Sequence, residues 1–270
     1  MPDLAMESVV HVYERGAVRA LDGVSLRISA GERVALIGQN GSGKTTLVRH
    51  LNGLLRPTSG RVSLAGRDTA PLRVAELARS VGLVFQDPDR QIFAGSVAAE
   101  VEFGPRNLGS RGAELRGAVD EALAAVGLSG EARTNPYDLG ASRRKLLALA
   151  SILAMRTPIL VLDEPTTGQD ERGVSTVRGV IETVHAEGRT VIAISHDMEF
   201  VAASFDRVVV MSAGRIVEDG PPASVFAAAS WEMLRSTYLE PPMAARVGER
   251  LGLGSTPTDE SLIRELVRAG

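Results

Sequence analysis

Gly38-Gln39-Asn40-Gly41-Ser42-Gly43-Lys44-Thr45 places glycines, a lysine and a hydroxyl at the spacing G-x-x-x-x-G-K-[ST]. Glycines at this spacing let a loop turn back on itself and aim backbone N–H groups at an anion. A helix starting at the lysine adds the positive end of its dipole. The expected roles are Lys44 on the outer phosphates of a nucleotide and Thr45 on a Mg2+ ion. A second constellation, "ILVLDE", is an apolar strand pattern that ends in Asp163 and Glu164. An acid at the end of a buried strand, beside a phosphate loop, suits the metal of a nucleotide, so Asp163 is expected at Mg2+. Glu164 is then placed to orient and polarise an attacking water.

The usage of basic residues singles out the same loop. The chain has 28 Arg and only two Lys, Lys44 and Lys145. A guanidinium and an ammonium are not interchangeable, so a lysine kept in so Arg-rich a sequence marks a position that needs a compact point charge on a thin stem.

These residues need an α/β scaffold, and the hydrophobic pattern supplies one. "ESVVHVYE" and "GVSLRI" read as antiparallel strands joined by a polar turn, and "RVALIG" as a buried strand leading into the glycine loop. A helix is predicted from about Lys44 to Asn52. "SGRVSLAG", "SVGLVFQ", "PILVLDE" and "TVIAISH" read as further strands, and "RVVVMSAGRIVEDG" as a hairpin turning at Gly214. Between Gln86 and Thr157 the period becomes helical, with Leu115, Val119, Leu123 and Val126 on one face and a second helix over Arg143 to Met155. From about Pro221, proline pairs and short helical pieces ("SWEMLRSTYL", "ESLIRELVRA") mark an appendage.

Composition excludes several classes. A net charge of −3 with no basic block does not favour nucleic acid as a partner. The absence of cysteine excludes disulfides and thiolate metal sites. "MPDLAMESVV" lacks the basic start of a signal peptide. The most apolar run, "LLALASILAM", is about half the length that crosses a bilayer, so a membrane role would go through a partner.

With the phosphate loop and "ILVLDE" in this order, the chain resembles the ABC-type ATPases, the nucleotide-binding subunits of transporters, over about Val9 to Gly220. The resemblance implies a P-loop nucleotide-binding domain at 1–220 with an antiparallel β subdomain and a helical subdomain at about 87–157, followed by a small helical extension at 221–270. It implies ATP and Mg2+ as ligands. Gly38, Gln39, Asn40, Gly41, Ser42, Gly43, Lys44, Thr45 and Thr46 would cradle the nucleotide, and Tyr13 would stack on adenine. Gln86 matches a glutamine that reaches Mg2+ or water and connects to the membrane partner. His196, in "AISHD", matches a histidine at the γ-phosphate, and Asp170, in "TTGQD", an aspartate that communicates between two nucleotide sites.

"FQDPDRQIFAGSVAAEVEFGPRNLG" and the tail "LEPPMAARVGERLG" are similar to the energy-coupling factor importers of vitamins or of cobalt and nickel ions. The partners this implies are a second ABC ATPase, an integral membrane coupling protein contacting the region after Gln86, and a substrate-binding membrane subunit. The expected location is the cytoplasmic face of the membrane, peripherally. Asp87, Asp89, Glu100 and Glu102 are expected to line a groove for an arginine of the coupling protein.

One motif departs from the family. Its signature, L-S-G-G-Q, serves the γ-phosphate bound by the other subunit, whereas this chain has Leu139, Gly140, Ala141, Ser142 and Arg143. The serine hydroxyl is missing at Gly140, and Cβ atoms are added at Ala141 and Ser142. Arg143 is expected to add a cation near the anion. The contact is altered rather than abolished, and pairing with a second ATPase of ordinary signature is the expectation. A homodimer, a soluble ABC protein without a membrane partner, and a binding module with little turnover stay open as alternatives.

Overall fold

The computed structural model describes residues 3–13 and 18–269. β1 (Leu4–Val12) pairs antiparallel with β2 (Arg19–Ile28); the Glu14 end of the expected first strand lies outside the described residues. β3 (Arg33–Ile37) runs into the glycine loop, and α1 (Lys44–Leu51) leaves it. β4 (Ser59–Leu64) and β5 (Arg67–Asp68) complete a four-stranded sheet in the order β2-β1-β4-β5. The short α2 (Val74–Leu77) leads to β6 (Val81–Val84).

The helical insertion follows as α3 (Val97–Leu108), α4 (Gly112–Ala125) and α5 (Ala141–Leu153). The face predicted for α4 is the buried one, through Leu115, Val119 and Leu123, with Val126 just beyond its end. α3 was not legible as a separate helix, because Gly104 and Pro105 interrupt its pattern. It is started by Ser96, whose hydroxyl accepts from the Ala99 N–H at 3.2 Å.

β7 (Ile159–Asp163), α6 (Glu171–Ala186), β8 (Thr190–Ile194), α7 (Met198–Ser204), β9 (Arg207–Ser212) and β10 (Arg215–Gly220) complete the core. The second sheet has the order β10-β9-β3-β8-β7-β6, parallel except for the β9–β10 hairpin. The extension is built from α8 (Pro222–Val225), α9 (Trp231–Ser236), α10 (Met243–Arg250) and α11 (Asp259–Ala269).

The central strands are apolar on both faces because each face is covered. Alternation sends Ala35, Ile37, Leu160, Leu162, Val191 and Ala193 into a core shared with α5, α6 and the insertion. Val34, Leu36, Ile159, Val161, Ile192 and Ile194 enter a second core with α1 and the antiparallel sheet. At about 1.5–3 kcal/mol for each large apolar side chain removed from water, these two cores hold the strand ends in fixed register. The carboxyl ends of β3, β6, β7 and β8 carry Gly38, Gln86, Glu164 and His196, the edge at which open α/β sheets bind ligands.

Candidate active site at the strand ends

The loop between β3 and α1 is wedged between β2 and β9. A Cβ at Gly38 (φ +147°) would lie 2.2 Å from the Met211 carbonyl, and one at Gly43 (φ +105°) 2.5 Å from the Ala20 carbonyl, so both positions require glycine. Gly43 is the N-cap of α1, which has no side-chain cap and no acid in its first turn. The N–H groups at that helix start are therefore free of side-chain competitors, and an anion fits them. The Lys44 ammonium donates to the carbonyls of Gly38 (2.6 Å) and Gln39 (2.9 Å) at the mouth of this cradle. Burial pushes its pKa down, opposed by the charges of Glu164 and Asp163.

A cavity of about 260 Å3 joins Tyr13, Asn40, Gly41, Gly43, Lys44, Thr45, Thr46, Gln86, Asp163 and Glu164. Tyr13 is 39% exposed, stands edge-on to His11 and shares a hydrogen bond of 3.0 Å between its hydroxyl and that of Thr46. Asp163 is buried, and Thr45 Oγ1 donates to its Oδ2 at 3.3 Å. Its Oδ1 is buried without a partner among the described residues. Burial, and secondly the charge of Glu164, push the Asp163 carboxyl above the usual range. An unpaired carboxylate oxygen beside a hydroxyl is a hard-oxygen donor set, which fits Mg2+.

Glu164 adopts a left-handed backbone (φ +53°), a conformation that costs a non-glycine residue about 1–2 kcal/mol. Its N–H donates to the Ile194 carbonyl at 3.0 Å, tying it to the end of β8. His196 Nδ1 lies 2.7 Å from Glu164 Oε2, and the Thr167 hydroxyl donates to the same oxygen at 3.3 Å. A carboxylate so held, next to a metal-suited aspartate, can accept a proton from water. Asp170 caps α6, its Oδ1 accepting from the Gly173 N–H at 2.8 Å.

The signature segment differs from expectation at Arg143. The Arg143 guanidinium is engaged within its own subunit: it pairs with Glu131 and reaches the Gly127 carbonyl inside the insertion. The Ser142 hydroxyl, the one candidate replacement for the missing serine, donates to Gln169 Oε1 at 2.6 Å, and Gln169 Nε2 donates back to the Ser142 carbonyl at 3.0 Å. What remains is the start of α5 at Ala141, with an extended Gly140 as its N-cap and no side-chain cap.

The acidic groove needs correction at Glu100. Glu100 is buried because its carboxylate accepts from the N–H groups of Phe93 (3.0 Å) and Ala94 (2.8 Å). Asp89 pairs with Arg144, Asp87 with Arg90 and Glu102 with Arg106. Asp87, Asp89 and Glu102 stay accessible to solvent beside these arginines and keep acceptor sites for a further donor. Beside them is a groove of about 380 Å3 of different character, lined by Arg79, Phe93, Phe103, Leu108, Ile152 and Met155. Phe93 and Phe103 pack edge to face at 4.7 Å and are 59% and 49% exposed.

Sequence reasoning marked Lys145 as unusual but gave it no role. It is buried, and its ammonium donates to the carbonyls of Glu164 (2.7 Å) and Thr167 (2.8 Å). Also missed was a buried histidine pair behind α1: His50 Nδ1 lies 2.7 Å from the Thr46 carbonyl and its Nε2 3.2 Å from His11 Nδ1. Neither pairing has a local sequence signal, since the partners lie far apart in the chain.

Residues 21–167 match the family described as ABC transporter. The energy-coupling factor transporter ATP-binding protein EcfA1 of Symbiobacterium thermophilum is 43% identical over 279 residues, covering 99% of this chain and 96% of that protein. A Methanosarcina acetivorans protein named for ABC transporter ATP binding is 44% identical over 91% of this chain. The chain spans only about two fifths of the length of that protein and of several other curated relatives. Among solved structures, CbiO1 of Clostridium perfringens, part of the ABC transporter complex CbiONQ, superposes with a TM-score of 0.76 at 36% identity, covering 92% of this chain and 98% of that one. The dimeric ATP-binding cassette MJ0796 bound to ADP and Pi superposes with a TM-score of 0.74 at 26% identity, covering 81% and 98%. The chain belongs to the ABC transporter family. Within the family it resembles the ATP-binding subunits of energy-coupling factor transporters.

Proposed function

We propose that this chain is the ATP-hydrolysing subunit of a membrane importer of the energy-coupling factor type, working with a second ABC ATPase. The observation that carries the reading is its likeness to EcfA1 along nearly the whole of both chains, appendage included. Among the described residues no helix is long and apolar enough to cross a membrane, and in this reading an integral membrane partner forms the pathway. The groove of Phe93 and Phe103 is the surface we assign to it, in place of the acidic one: exposed aromatics at the rim of an apolar groove suit a helix of the coupling protein. That would hold this subunit peripherally on the cytoplasmic face.

In this reading Tyr13 stacks on adenine, while Lys44 and the N–H groups of the loop and first turn of α1 hold the phosphates. Thr45, Asp163 and Gln86 would hold Mg2+, which when bound offsets phosphate charge. Glu164 orients the attacking water and accepts its proton, and His196 fixes the Glu164 carboxylate and the γ-phosphate geometry. Asp170 links the two sites of the dimer. The altered start of α5 serves the partner's nucleotide, so the second ATPase supplies an ordinary signature to the site built on Lys44, which becomes the faster of the two. The test is a pull-down from membrane extract with turnover assays on the isolated complex. Recovery of a second ATPase and an integral membrane protein supports the proposal; a lone active homodimer favours the homodimer reading.

A further inference from the structure

We infer that Lys145 is a positioning residue for Glu164, holding the catalytic turn in its left-handed conformation from the signature helix of the same subunit. The inference rests on the reading of Glu164 as the proton acceptor and adds to it a residue outside the nucleotide cavity.

Three observations carry it. First, the ammonium of Lys145 donates to both ends of the segment Glu164–Thr167, at 2.7 and 2.8 Å. Glu164 is the only acid in that segment, and its Oε2 accepts from the hydroxyl of Thr167, the other residue pinned. Second, Glu164 sits at φ +53°, a conformation that neighbouring contacts must maintain in a residue other than glycine. Its peptide N–H is fixed by the Ile194 carbonyl and its carbonyl by Lys145, so both sides of the residue are tied down and the carboxylate is aimed by the backbone. Third, Lys145 is buried, and its chain uses arginine at every basic position but two. A compact ammonium can reach two carbonyls of one tight turn at once, where a planar fork does not match them.

Lys145 lies one helical turn beyond Ser142, on the same side of α5. The Ser142–Gln169 pair grips the far end of the same loop. α5 therefore clamps the stretch 164–169 at two points, and the helix offered to the partner's nucleotide is joined directly to this subunit's own base. Removing the ammonium leaves two carbonyls without their donor and frees the turn to relax. A displacement of about 1 Å at a reacting group costs on the order of a hundredfold in rate.

The experiment compares Lys145→Met, Glu164→Gln and the double variant in the assembled transporter complex, measuring kcat, KM and the affinity for ATP. Glu164→Gln alone tests the underlying reading: if it turns over at the wild-type rate, both that reading and this inference fall. With Glu164→Gln inactive, Lys145→Met is expected to lower kcat on the order of a hundredfold, with ATP affinity within about twofold of wild type. It should cost nothing further in the Glu164→Gln background, because it acts through Glu164. A Lys145→Met variant with wild-type kcat, one that loses ATP binding along with turnover, or one whose effect adds in full to that of Glu164→Gln would overturn the inference.

Discussion

The glycine loop and the start of α5 are both helix N-termini expected to face a phosphate, and they are built to different standards. At α1 the cradle is specified atom by atom: glycines at Gly38 and Gly43 are required by backbone carbonyls 2.2 and 2.5 Å from any Cβ, and the Lys44 ammonium sits at the mouth. At α5 the helix start is present, but the side chains that would complete it are engaged elsewhere, Ser142 with Gln169 and Arg143 with Glu131. A helix dipole alone is a weak, screened attractor; specific donors make it a phosphate site. In the proposed reading the chain would carry the parts for its own site and offer its partner an incomplete one.

The sharpest break of the stronger half is Glu164→Gln. A neutral amide cannot take the water proton, so kcat in the complex should fall about 10²–10⁴-fold while ATP binding persists. Equilibrium binding and single-turnover assays check both parts. The weaker half can be repaired rather than broken. A Cβ at Gly140 meets nothing within 4 Å, so Gly140→Ser restores a hydroxyl without strain. Turnover by the isolated chain should rise at least about tenfold, the worth of one hydrogen bond to a charged group. Stability should change by only a few tenths of a kcal/mol, since glycine is nearly as good an N-cap as serine.

The link between the two halves is open to a smaller test. A Cβ at Gly173 would lie 2.0 Å from Gln169 Oε1, so Gly173→Ala should push Gln169 off Ser142. The expected loss is about 1–3 kcal/mol, seen as a lower Tm, with Ser142→Ala costing about 1 kcal/mol. An unchanged Tm in both would remove the pairing from the account.

The difference between the halves also explains what could be read from the sequence. The phosphate loop, β7 and its two acids were legible because they are contiguous: spacing, strand pattern and chemistry occupy one short run. The departure of the signature was legible as a change of residue types, but its consequence was not. Where Ser142 and Arg143 point depends on Gln169 and Glu131, which packing brings near without any local pattern. Glu100 was misread for the same reason: an acid after Gln86 looks solvent-facing until the N–H groups of Phe93 and Ala94 are seen to bury it. Lys145 was conspicuous only by its rarity.

The smallest effect concerns the support of α1. Burial, with a lesser contribution from His11, holds the pKa of His50 below its ordinary value, so the folded chain stays neutral where the unfolded chain has taken a proton. Stability is then fully present above about pH 6.5 and declines as the pH falls below it. Thermal melts between pH 7.5 and 5.5, the range that straddles the histidine pKa, should show this decline, and His50→Gln should flatten it.

In the proposed pairing this chain needs another subunit's signature to complete the site built on Lys44. The measurement is ATP turnover by the purified chain at concentrations that force dimers, before and after addition of the co-purified second ATPase. Turnover near background is expected for the lone chain, with a rise when the partner is added that Glu164→Gln in this chain abolishes. Brisk hydrolysis by the lone chain, unchanged by the partner, would contradict the pairing.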